Sequence, residues 1–87
     1  MLLKRKNLLV ERIVSSSDIT PTNYVQPQDE WLVLLQGEAT LVVSGSTLQF
    51  EAGDHVFLPA GIPHRVEKTS QGAMWLAVHL HAESARQ

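Results

Sequence analysis

The chain has 87 residues, no cysteine and a formal net charge of −2, with Lys4-Arg5-Lys6 as its one basic run. These features exclude a disulfide framework and thiolate metal sites, and they argue against nucleic-acid binding, which needs clustered lysine and arginine. A chain this short buries only about 60–65% of the surface its unfolded form exposes, so a single domain over 1–87 is expected, marginal alone and sharing its core in a homodimer.

In chain order, the charged triplet interrupts Met1-Leu2-Leu3 before any apolar stretch long enough for export, and it reads as a solvated arm. No stretch would span a bilayer, so a cytoplasmic protein without membrane contacts is expected. Leu8-Leu9-Val10 and Ile13-Val14 flank Glu11-Arg12 and form a first strand, at an outer edge or a subunit contact, that ends at Ser15-Ser16-Ser17-Asp18. From Ile19 to Tyr24 Pro21 breaks regular pairing, although Thr20, Thr22 and Tyr24 keep a strand-like composition. Pro27-Gln28-Asp29 turns the chain.

Glu30 to Gln36 holds the apolar run Trp31-Leu32-Val33-Leu34-Leu35 and reads as a central strand. Gly37 marks a hairpin reversal, with Ala39 to Val43 as the pairing partner. Ser44-Gly45-Ser46 is a second turn, and Thr47 to Phe50 alternates with period two. After Gly53-Asp54 a strand starts at His55 and stops at Pro59, which cannot donate to a ladder. Gly61 supplies a positive φ and Pro63 presets the backbone, so His64 is aimed from the start of the next strand, His64 to Lys68. Thr69 to Gly72 is a loop, and Met74 to Leu80 is a last apolar strand before a polar tail. Seven or eight short strands with Gly, Pro and Ser turns predict an all-β sandwich or barrel.

Gly53 to His64 follows the pattern G-x5-P-x-G-x2-H, which resembles the second motif of the cupins. Their first motif, H-x-H-x3–4-E-x6-G, is matched in its second half by Glu30 and Gly37. Glu30-Trp31, His64-Arg65-Val66 and Trp75-Leu76-Ala77-Val78-His79 also resemble a group of small single-domain bacterial cupins. The resemblance implies a small jelly-roll barrel whose interior ligands hold one divalent metal, commonly iron, manganese, nickel or zinc.

Counting back from Glu30 places Gln26 and Tyr24 at the two histidine positions of that motif. A neutral amide oxygen is a weak ligand, and tyrosine ligates well only as phenolate, so metal affinity should fall. The candidate ligand-binding residues are therefore Tyr24, Gln26, Glu30 and His64, and the candidate metal ligands Gln26, Glu30, His64 and His79. His79 shares parity with Trp75 and Ala77, and it joins the set if that face is inward. A register slip of one residue would turn Val25 inward in place of Tyr24 and Gln26.

Each residue has a plainer reading. Glu30 could be a rim carboxylate, and His64 could bond Glu30 with no metal present. His81 is expected at a frayed end and His55 at the surface. Lys68, standing where the family often has Asn, is expected to reach solvent. Trp31 and Trp75 are expected in the core or an interface. Three functions follow: a small-molecule-binding cupin with a degenerate metal site, a metal-dependent dioxygenase- or isomerase-type enzyme on a small polar substrate, or an interaction domain with a plugged barrel.

Overall fold

The computed structural model describes residues 2–81, so the polar tail expected after the last strand lies outside the described residues. Eight strands follow in order: β1 Leu3–Arg5, β2 Leu8–Ser15, β3 Asp29–Gln36, β4 Glu38–Val43, β5 Ser46–Glu51, β6 His55–Leu58, β7 His64–Thr69 and β8 Ala73–Leu80. They form two antiparallel sheets, of order β1-β2-β8-β3-β6 and β5-β4-β7. Among the described residues no helix is long and apolar enough to cross a membrane.

Period-two alternation decides which side chains meet between the sheets. On β3 Glu30, Leu32 and Leu34 are buried, and on β8 the same is true of Ala73, Trp75, Ala77 and His79. Leu41 from β4, Phe50 from β5 and Leu58 from β6 complete the core with Ala39, and Phe50 packs on Trp75 with ring centroids 6.0 Å apart. Small alanines on β8 let the larger leucines and Trp75 interdigitate across a layer that bulky residues alone would overfill.

Two expectations are corrected, the hairpin after Gly37 and the outer-edge place of the first strand. Glu30–Gln36 and Ala39–Val43 are not hairpin partners: β3 pairs with β6 and β8, whereas β4 pairs with β5 and β7. The single residue Gly37 between them is too short for a two-residue hairpin loop, so it turns a corner from one sheet to the other. Its φ is +91°, and a Cβ there would sit 2.5 Å from Ser70 Oγ, the hydroxyl that accepts the Glu38 amide hydrogen bond at 2.9 Å.

The strand around Glu11 is also interior, between β1 and β8. The edge belongs to β1, which places Lys4 and Arg5 in a strand and Lys6 in its turn, an arrangement in which charge protects an exposed edge. Between Ile19 and Tyr24 no strand forms, and Tyr24 makes one isolated bridge with His64. Trp75 is core, but Trp31 points outward, 39% exposed, with its indole Nε1–H 3.3 Å from His55 Nδ1.

Candidate functional site

His64 owes its position to local chemistry. The Ile62 amide donates to the Pro59 carbonyl at 3.2 Å, and Gly61 takes φ +84°. This turn is tied to the segment before β3: Gly61 N–H donates to the Gln26 carbonyl at 2.8 Å, and Ala60 N–H to Asp29 Oδ1 at 2.8 Å. Tyr24 and His64 exchange both backbone hydrogen bonds, at 2.7 and 2.9 Å. His64 Nδ1 lies 3.2 Å from the Ile62 carbonyl. A carbonyl only accepts, so Nδ1 carries the proton and the neutral ring keeps its Nε2 lone pair facing inward.

Glu30 lies where that lone pair points, with Oε1 3.8 Å from His64 Nε2. Strand register brings a second imidazole to the same carboxylate. Glu30 pairs with His79 across β3 and β8, and His79 Nε2 is 3.8 Å from Glu30 Oε2. Glu30, His64 and His79 are 6%, 8% and 8% exposed. Both approaches to Glu30 exceed hydrogen-bond length, so the carboxylate is flanked without being bonded by either ring. Burial raises its carboxyl above the ordinary value, His79 and His64 oppose that shift, and Glu11 adds to it.

Two buried polar atoms here have no partner: Gln26 Oε1 and His79 Nδ1. Buried polar atoms are almost always hydrogen-bonded, so each orphan, among the described residues, is a group that something else could complete. Val25 is exposed, so the register that turns Gln26 inward is kept. Tyr24 is half exposed, its ring 5.9 Å from that of His64 at 33°, and it stands at the rim.

The structure therefore brings Glu30, His64 and His79 together, with Gln26 turned inward and Tyr24 outside. Sequence reasoning missed Glu11 on β2, whose Oε1 is 3.4 Å from His79 Nε2. The available signal was a lone carboxylate sharing strand parity with Leu9 and Ile13. His55 and His81 are exposed, and His81 N–H donates to the Asn7 carbonyl at 2.8 Å. Lys68 is exposed as well.

The donor set, two imidazoles and a carboxylate, is one that first-row divalent metals accept. Among the described residues no three such side chains already close on one point, because His64 and His79 flank opposite oxygens of Glu30.

A profile of the Cupin domain family matches residues 11–79. The chain is similar to a candidate mannose-6-phosphate isomerase of Ralstonia eutropha JMP134, with 37% identity, TM-score 0.84, and coverage of 93% of this chain and 81% of that one. It also matches a Streptococcus pyogenes protein of unknown function, at 23% identity and TM-score 0.80 over 94% of this chain and 71% of the other. An uncharacterized Streptomyces coelicolor protein is 28% identical over 82 residues, 94% of this chain and 78% of its own length. The two facing antiparallel sheets are thus a jelly roll, and the chain belongs to the cupin family.

Proposed function

We propose that this protein is a small-molecule-binding cupin whose barrel holds one divalent cation on Glu30, His64 and His79, with Gln26 as a neutral oxygen donor. The observation that carries this reading is the buried Glu30 between two imidazoles at 3.8 Å each. A cation satisfies both imidazole lone pairs and the carboxylate at once. Iron, manganese, nickel and zinc all suit the set, and such an ion would act as a Lewis acid or redox centre toward a bound ligand. The chain's own part is to orient: the Ile62 carbonyl fixes the His64 tautomer, and the half-exposed Tyr24 ring stands beside that imidazole.

Elemental analysis of wild type and His64→Ala after loading with each metal tests the reading. Wild type should retain about one ion per chain and the variant none. Retention by the variant rejects the ligand assignment. If neither retains metal, the barrel is a metal-free binding site. An isomerase-type reading is favoured by the name of the 37% identical relative, and metal-dependent interconversion of a sugar phosphate by this chain would support it.

We infer further that the working form is a homodimer. One row across the outer face of the five-stranded sheet reads Leu3, Val10, Val78, Trp31 and Phe57, a second apolar side that a lone sheet leaves in water.

A further inference from the structure

We propose, on the footing of the metal reading above, that Glu11 is a fourth protein ligand, so that the centre spans Glu11 on β2, His79 on β8, Glu30 on β3 and His64 on β7. Its Oε1 approaches His79 Nε2 at 3.4 Å, closer than either imidazole comes to Glu30. Ligand atoms at about 2.1 Å around a tetrahedral ion lie about 3.4 Å from one another, so this spacing suits two donors sharing an ion.

The backbone explains why Glu11 faces this way. Register sets Leu9 opposite His79 and Glu11 opposite Ala77, which puts Glu11 on the inner face next to His79. Glu11 shares that face with Leu9 and Ile13 and is half-buried there. A nitrogen has one site to offer, so His79 Nε2 cannot serve Glu11 and Glu30 together by a single N–H, and its Nδ1 has no partner either. A divalent ion on Nε2 resolves the first of these shortages, with Nδ1 keeping the ring proton.

The count of donors supports the same assignment. Tyr24 and Gln26 occupy the positions of the two histidines in the cupin first motif, and His79 and Glu11 supply two donors from the other side of Glu30. Glu11 keeps 37% of its side chain exposed and lines a cleft of about 290 Å³ with Lys4, Lys6, Leu8, Leu9 and His81, so its carboxylate is reached from solvent.

The test titrates wild type, Glu11→Gln, Glu11→Asp and the surface control Glu51→Gln with zinc against a chromophoric chelator, and records the visible spectrum of each protein loaded with cobalt(II). Glu11→Gln should bind zinc at least tenfold more weakly and change the cobalt spectrum, Glu11→Asp should fall between, and Glu51→Gln should match wild type. A loss below tenfold, or an unchanged cobalt spectrum, overturns Glu11 as a ligand and leaves the three-residue centre standing. Wild type that binds neither zinc nor cobalt overturns the metal reading and this proposal with it.

Discussion

Glu30 concentrates the electrostatics of the barrel. Its carboxyl is raised chiefly by burial, so the folded state holds that proton more tightly than the unfolded chain does. Stability from this group is therefore fully present below the ordinary carboxylate value and is lost as pH rises through the raised one. In metal-free protein Glu30→Gln should raise the melting temperature at neutral pH, and the gain should shrink toward acid pH. The same series made in His64→Ala and His79→Ala backgrounds separates the contribution of the facing imidazoles. A Glu30→Gln protein that melts lower than wild type at pH 7 without metal would show that the ionised form is the better satisfied one. His64 was legible from sequence because its placement is local: Pro59, Gly61 and Pro63 set the turn within five residues of it. His79 and Glu11 belong to strands more than sixty residues apart, and no spacing along the chain announces their meeting.

At the scale of elements, the corner at Gly37 decides the topology. Turn chemistry alone reads glycine after an apolar run as a hairpin, yet a one-residue link forces β3 and β4 into different sheets. Gly37→Ala combines a positive φ with a Cβ 2.5 Å from Ser70 Oγ, and it should cost at least about 1–2 kcal/mol in urea unfolding. Gly45→Ala, at φ +84° but with open space around it, should cost less, because only the backbone conformation is strained. Equal losses at the two positions would show that crowding at the corner contributes nothing. Leu34, fully buried where β3 meets β8, should lose about 2–5 kcal/mol on substitution by alanine, or roughly 8 °C or more in melting temperature for a domain of this size.

At the scale of the molecule, the five-stranded sheet is apolar on both faces, and only the inner one is covered by the three-stranded sheet. Trp31 at 39% and Phe57 at 56% exposure lie side by side on the outer face. Three strands of eight residues with a three- and a four-residue strand, at about 3.4 Å per residue and about 4.8 Å spacing, present on the order of 500 Å². Two copies laid face to face would bury on the order of 1,000 Å², the least a specific interface clears. Light scattering on wild type should give twice the chain mass, and Phe57→Asp should give the monomer with its metal stoichiometry kept, since Phe57 faces away from Glu30. A monomeric wild type at micromolar concentration would sink the dimer.

By itself the sequence determined the alternation of short strands, the turn that aims His64, and the cupin motifs, because these depend on backbone preferences and side-chain parity within a few residues. Tertiary structure decided which strands share a sheet, that β2 is interior, and that Trp31 faces out while His79 faces in. It also decided the membership of the buried cluster. Strand pairing between distant segments is chosen by the burial of the whole apolar inner face, with Leu34, Leu41 and Leu58 at its centre, and that choice sets His64 and His79 beside Glu30 and Glu11 beside His79.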